Sequence, residues 1–153
     1  MKPIQFTVHG TPAPMGSKKA FYVPNLERAV LTDTNPKKRK AWAAAVSATA
    51  ALEMRGRELI RTPVELQVNF YFSRPQSHFG TGRNAGRVKD SAPLFHSQSP
   101  DLDKLIRCLG DALTGIVIHD DRQICKIHSW RYWTTSQERA EVQIKEISTL
   151  PSI

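Results

Sequence analysis

The clearest periodic pattern in the sequence is an apolar residue at every second position from residue 64 to residue 72. In an extended chain, Val64, Leu66, Val68, Phe70 and Phe72 would point to one side and the more polar residues between them to the other. A strand with one apolar face needs neighbouring strands and a layer that covers that face. We therefore expect a β-sheet packed against helices.

Other segments of the chain can supply those neighbouring strands. Residues 4–8 and 140–145 show the same alternation and are predicted to be strands. Residues 124–133 are rich in β-formers but do not alternate cleanly, which indicates burial on both faces or a bulge. A polar turn at 134–139 precedes the last strand, which we expect to run antiparallel to its predecessor.

Two helices are predicted from different signals. Asn35 as N-cap and Pro36 as first residue form a good helix start, and the alanine-rich stretch after them should be helical to about Gly56. The second helix lies after residue 101 and ends near Gly115, because glycine readily adopts the left-handed conformation that closes many helices. The buried face of the first helix is predicted to hold Trp42, Val46 and Leu52, and that of the second Leu102, Leu105, Ile106, Leu109 and Leu113.

The predicted order is β-α-β-α-β-β, an α+β fold with a small mixed β-sheet flanked by helices. The 153 residues are expected to form one domain over 1–153. Two irregular segments interrupt the pattern. Residues 9–24 are predicted to be a loop with a short extended piece at 21–23, and residues 73–100 a long basic loop, interpreted as a mobile flap beside a site.

The charge of the chain favours a polyanionic partner. Lys and Arg outnumber Asp and Glu by 22 to 14, which gives a formal net charge of +8 and an isoelectric point near 9.8. Nucleic acid fits best, although an anionic membrane surface fits too. The sequence has no apolar run of membrane-spanning length, and Cys108 and Cys125 are interpreted as reduced thiols, so we expect a cytoplasmic protein.

Basic residues cluster at three places along the chain. Lys18 and Lys19 lie in the first loop, residues 37–40 are all basic, and Arg83 and Arg87 lie in the second loop. Cations at the start of a helix are disfavoured by the helix dipole, so residues 37–40 indicate a use such as phosphate binding. Ordinary solvated surface is the alternative at the first two places.

Four aspartates frame the second helix: Asp101 and Asp103 at its start, and Asp120 and Asp121 after it. Carboxylates that meet in a basic protein favour a divalent metal, because Mg²⁺ prefers oxygen ligands and is held by a few carboxylates with waters and substrate phosphate. Side chains two residues apart point to one side in an extended chain but to roughly opposite sides of a helix. Asp101 must therefore lie at or before the helix start for the first pair to converge.

Structural roles for the same residues are the alternative. Asp103, Arg107 and Asp111 have the spacing of a ladder of ion pairs on a solvent-facing helix. Asp101 could act only as an N-cap, and residues 120–121 could form an ordinary turn. From spacing and charge alone, both interpretations stay open.

The segments SPDLDKLIRCLGDAL and HDDRQI together resemble the signature of the RusA-type Holliday junction resolvases. The resemblance implies a homodimeric endonuclease that depends on Mg²⁺ or Mn²⁺. It implies paired symmetric nicks in four-way DNA junctions, a reaction of DNA recombination and repair, in a family common in phages and prophages. It also implies a RusA-like fold.

The resemblance also assigns residues. Asp101, Asp103 and Asp121 match the three carboxylates that bind metal, whereas the role of Asp120 is less certain. Arg107 stands where the family usually has lysine, and it can stabilise phosphate charge but cannot transfer a proton. Lys104 stands where the family usually has asparagine, and it could weaken metal binding or contact phosphate. The residues expected to bind DNA are Lys18, Lys19, Lys37, Lys38, Arg83, Arg87 and Lys104.

Two other functions compete with this one. A catalytically silent DNA-binding protein of the same fold would bind junctions without cutting them. A transferase that holds a metal-bound diphosphate is disfavoured by the lack of a glycine-rich phosphate loop in the sequence. Phe79 and Phe95 of the second loop could wedge against unstacked bases, although tethering the loop to the core is the favoured interpretation.

Overall fold

The computed structural model describes residues 2–16, 18–33 and 35–147, without the side chains of residues 18–21, 23, 26 and 28–33. This part of the chain forms six strands and two α-helices: β1 (Ile4–His9), β2 (Lys18–Val23), β3 (Arg28–Asp33), α1 (Pro36–Glu53), β4 (Val64–Ser73), α2 (Leu102–Leu113), β5 (Ile124–Thr134) and β6 (Arg139–Glu146). Neither of the two α-helices in this part is long and apolar enough to cross a membrane.

Four strands form one mixed sheet in the order β1-β6-β4-β5. β4 pairs with β5 in parallel, whereas the β4–β6 and β6–β1 pairs are antiparallel. This confirms the predicted α+β fold with a mixed sheet. The last strand does run antiparallel to its predecessor, but the two are not neighbours, because β4 lies between them.

The core lies between one face of the sheet and the two helices. All five alternating apolar residues of β4 are buried, as predicted, and the inward residues of β1 and β6 join them. Helix α2 contributes Leu105, Cys108, Leu109 and Leu113, and the Ser47 hydroxyl of α1 donates a hydrogen bond to the Ala112 carbonyl (3.0 Å). Gly115 has a φ of +82°, which confirms its predicted role beyond the end of α2.

Helix α1 begins at Pro36 with Asn35 as N-cap, as predicted, but ends earlier than expected. Asn35 occupies the N-cap in the left-handed region (φ 60°, ψ 47°) and makes no side-chain capping bond, and the helix ends at Glu53 rather than near Gly56. The expected burial of Leu52 is wrong, because its side chain is 61% exposed. The buried stripe instead follows a spacing of four residues through Trp42, Val46 and Ala50, and a residue two positions beyond Ala50 points to the opposite side.

Strand β5 lies at the edge of the four-stranded sheet, and residues on both of its faces are exposed. The expected burial on both faces is therefore wrong. Ile127 and Trp130 are exposed. The alternative expectation, a bulge, is confirmed: the register with β4 shifts between Val64 and Glu65, which leaves Cys125 without a partner.

The first irregular segment also contains more structure than expected. Residues 18–23 form a full strand, β2, rather than a short extended piece at 21–23. They pair with β3, which was not predicted, in an antiparallel two-stranded sheet. Arg28–Asp33 has no alternation that would mark it as a strand.

Residues 74–100 are irregular, as predicted, but their backbone is attached to the sheet. The amide of Arg74 donates to the Thr134 carbonyl (3.1 Å), and the amide of His96 to the Arg131 carbonyl (3.0 Å). Phe95 stacks on Trp130 with ring centroids 5.3 Å apart, which favours tethering as the role of this residue. Two 3₁₀ turns, Gln76–His78 and Gly82–Asn84, lie between these attachments.

His96 is expected to make stability depend on pH. Its ring is 5% exposed and stacks on Phe72 (4.2 Å), and burial, with a smaller effect of the Arg131 charge, lowers the pKa of His96. Below the unfolded pKa of about 6.5, the unfolded state therefore binds more protons, so stability falls as pH decreases through that range. Replacing His96 with phenylalanine should flatten the pH dependence of urea unfolding between about pH 7 and 5. An unchanged slope would contradict this account.

Candidate active site

Asp101 stands immediately before α2, as convergence with Asp103 requires. Its backbone is extended (φ −71°, ψ 144°), and its carbonyl accepts the Leu105 amide (3.1 Å), so the helix begins at Leu102. The Asp101 side chain makes no capping bond. It is 69% exposed, and its Oδ2 lies 3.9 Å from the Lys104 Nζ. Asp101 is therefore not serving as a side-chain N-cap here.

The start of α2 is held by the sheet and by the loop after β1. α2 lies in the connection between the parallel strands β4 and β5, an arrangement that commonly places a helix start at the carboxyl edge of the strands. Arg131 of β5 donates from Nη1 to the carbonyls of Gln98 (2.8 Å) and Pro100 (2.6 Å). The amide of Met15 donates to the Lys104 carbonyl (2.9 Å). In the sequence, a charge within an apolar strand is the only indication of this role of Arg131.

Asp120 is engaged in local structure. It caps a 3₁₀ turn over Asp121–Gln123, and its carboxylate accepts the Arg122 amide (2.9 Å) and the Arg122 Nε and Nη2 (3.1 and 2.9 Å). The side-chain hydrogen bonds from Arg122 hold the pKa of Asp120 far below its usual value. The Gln123 side chain accepts the Asp120 amide (2.8 Å) and completes a capping box. This engagement leaves Asp121 as the better candidate of the pair for metal binding.

Asp121 is exposed and lies against the middle of α2. A Cβ placed on Gly110 would be 3.8 Å from the Asp121 Cβ, so this side of the helix faces the turn. Asp103, Arg107 and Gly110 are spaced to share that side. Seven residues span about 10 Å along a helix, so Asp121 meets α2 two turns away from Asp103, with Arg107 between them.

The structure therefore places Asp101 and Asp103 next to each other at the start of α2. It does not bring a third carboxylate close to them. Within the described residues, no group of three or more His, Cys, Asp or Glu side chains is arranged to hold a metal. The three-carboxylate site stays a prediction. The competing ion-pair ladder is not formed either: among the described residues, no salt bridge joins Asp103, Arg107 and Asp111.

The basic residues predicted to bind DNA are partly accounted for. Lys37, Lys38, Arg83 and Arg87 are exposed, whereas Lys104 is half-buried beside Asp101. The backbone of Lys18 and Lys19 lies in β2, but their side chains fall outside the described residues. Their binding to DNA stays a prediction.

The α+β fold and the aspartates at the start of α2 agree with what comparison with known proteins finds. Residues 13–145 match the family model described as endodeoxyribonuclease RusA. The chain therefore belongs to the RusA endodeoxyribonuclease family. It is also 25% identical over 145 residues to the uncharacterized protein YqaN of Bacillus subtilis (strain 168), an alignment that covers 95% of this chain and 97% of that protein.

Proposed function

We propose that this protein is a metal-dependent endodeoxyribonuclease that resolves four-way DNA junctions by paired symmetric nicks, acting as a homodimer. The observation that carries the proposal is the pair Asp101 and Asp103 at the start of α2, with carboxylates turned to solvent, in a chain of this family. A two-fold dimer suits the substrate, because two opposed strands must be cut and each subunit supplies one site.

The donor chemistry of this pair suits Mg²⁺ or Mn²⁺. Carboxylates are hard oxygen ligands, and Mg²⁺ is usually held by one or two of them together with waters and substrate phosphate. Asp101 and Asp103 would hold the ion, and Asp121 would complete the set if its turn moves along α2 towards them. The bound ion would supply a water of lowered pKa and a counter-charge for the phosphoryl oxygens.

Cationic side chains around the carboxylates would position the DNA. Arg107 is exposed between Asp103 and Asp121 and would bind the phosphate whose bond is cut, because its planar guanidinium can donate two parallel hydrogen bonds. Lys37, Lys38, Arg83 and Arg87, with Lys18 and Lys19, would hold the junction arms through phosphates. Binding of this kind weakens steeply as salt rises.

A supercoiled plasmid that extrudes a cruciform tests the proposal directly. Paired nicks within one binding event convert such a plasmid to the linear form, whereas unpaired nicks give relaxed circles. We expect linear product with Mg²⁺, none with EDTA, and none from a plasmid without the inverted repeat. Relaxed circles from both plasmids would contradict junction resolution and indicate a general nicking enzyme.

One observation favours a second candidate, a catalytically silent protein that only binds junctions. The Lys104 Nζ lies 3.9 Å from the Asp101 Oδ2, so a cation already stands beside a proposed metal ligand. Tight junction binding that is indifferent to Mg²⁺, with no nicks in the plasmid assay, would establish this function instead.

Replacing Lys104 with asparagine, the residue usual in the family, is expected to strengthen metal binding. The Lys104 charge would repel an ion bound at Asp101 by about 1 kcal/mol in a water-like medium. Without that charge, the Mg²⁺ concentration that gives half-maximal nicking should fall about fivefold. Isothermal titration with Mn²⁺ should show the same change. Replacing the exposed Lys145 on β6 with asparagine is the control and should leave the metal dependence unchanged.

A further inference from the structure

A cleft of about 570 Å³ lies between the loop after β1, the first turns of α1 and the segment before α2. Asn35, Lys38, Ala41 and Ser99 on its rim are exposed, so it opens to solvent. Trp42 of α1 and Phe72 of β4 lie beneath it.

Small residues in α1 and in the loop after β1 help to leave the cleft open. Helix α1 presents Lys38, Ala41, Trp42 and Ala45, which share one side of the helix, and two of these end in a methyl group. Gly10, in the loop after β1, has a φ of +133° and lies beside the Trp42 ring, since a Cβ there would be 3.7 Å from it. These two alanines and Gly10 therefore leave room for a ligand.

The floor of the cleft is formed by aromatic rings. Trp42 and Phe72 are buried, with Trp42 only 3% exposed. Both rings therefore close the cleft from below, and its floor is apolar.

The cleft continues to the proposed active site. A smaller cavity of about 130 Å³ shares Pro14, Asn35, Ser99 and Pro100 with it and is also lined by Asp101 and Lys104. A ligand in the cleft would therefore sit next to whatever the carboxylates of α2 bind.

We propose that the cleft receives one unstacked nucleobase of the DNA strand that is cut at Asp101 and Asp103; this rests on the nuclease function proposed above. The apolar lining of the cleft suits the faces of a base, and exposed Lys38 at the rim suits the adjoining phosphate. A cleft of this volume holds a molecule the size of one nucleotide and is too small for a duplex. Reading a base there would give the enzyme a sequence preference next to the cut.

An abasic nucleotide tests the proposal when it is moved position by position through the crossover of a labelled junction and along a single-stranded oligonucleotide. Binding is measured in EDTA, so the result does not depend on cleavage. In the wild-type protein, we expect one position at which loss of the base weakens binding about tenfold, since an abasic nucleotide no longer buries apolar surface in the cleft.

Two variants connect that loss to the cleft. Ala41→Trp fills the cleft from an exposed position and should weaken binding of the intact DNA as much as the abasic change does, with no further loss when both are combined. Ala48→Trp, at an exposed position two turns further along α1 and outside the cleft, is the matched control and should behave like the wild type.

The outcomes separate the two proposals. No position sensitive to base removal, or full sensitivity retained in Ala41→Trp, would overturn the base cleft even if the enzyme nicks junctions. Sensitivity that is lost in Ala41→Trp, in a protein that never nicks, would support the cleft and overturn only the nuclease. A protein that binds neither DNA would overturn both.

Discussion

Replacing Asp101 with asparagine is expected to lower the rate of junction nicking about a thousandfold. A bound metal supplies several kcal/mol of charge stabilisation in phosphoryl transfer, and each 1.4 kcal/mol is about a factor of ten in rate. The amide cannot replace the lost negative charge. Single-turnover nicking of a labelled junction in saturating Mg²⁺ measures the effect.

The same substitution should leave the fold intact. The Asp101 side chain is mostly exposed and makes no capping bond, and asparagine is well accepted at a helix N-cap. The free energy of unfolding should therefore change by less than about 0.5 kcal/mol. Glu53→Gln, which also removes one exposed carboxylate from a helix, is the control and should nick normally. Undiminished nicking in Asp101→Asn would remove this residue from the catalytic site.

Replacing Leu109 with alanine is expected to lower the free energy of unfolding by about 3 kcal/mol. Leu109 is fully buried between α2 and the sheet, so its loss leaves a cavity in the middle of the core. Thermal unfolding should shift downwards by about 6–12 °C, because about 1 kcal/mol corresponds to 2–4 °C for a chain of this size.

The same change at Leu52 is the matched control. Leu52 lies on the exposed side of α1, so Leu52→Ala removes little buried surface and should change stability by less than about 0.5 kcal/mol. Equal losses at the two positions would mean that the side of α1 or α2 that faces the core is assigned wrongly.

The regular part of the fold could be predicted because alternation reports which face of a strand is buried. β1, β4 and β6 each have one buried and one more polar face, and their patterns show it directly. Helix α2 was equally clear, since its leucines recur at helical spacing and Gly115 closes it.

The remaining elements are decided by contacts that a local pattern does not contain. Trp130 and Ile127 made β5 look buried on both faces, yet the strand lies at an edge, and Trp130 is covered in part by Phe95 from a distant segment. In α1, so many alanines leave the buried side undecided, and Ala50 rather than Leu52 follows Trp42 and Val46 into the core.

The candidate site was predicted in part for a similar reason. The position of Asp101 before the helix follows from local sequence, because Ser99-Pro100 precedes it. The difference between Asp120 and Asp121 depends on the forked contact of Arg122 with Asp120, a geometry that two adjacent aspartates do not reveal. The distance between Asp121 and the first pair depends on where along α2 the turn over Asp121–Gln123 packs, which is beside Gly110.

The most direct test of the central claim is a cleavage assay on a labelled four-way junction, with linear duplex alongside and with Mg²⁺, Mn²⁺ or EDTA present. We expect symmetric nicks in the junction that require metal, and no cutting of the duplex. Tight junction binding with no nicks under either metal would contradict the account and make this member of the family a DNA-binding protein.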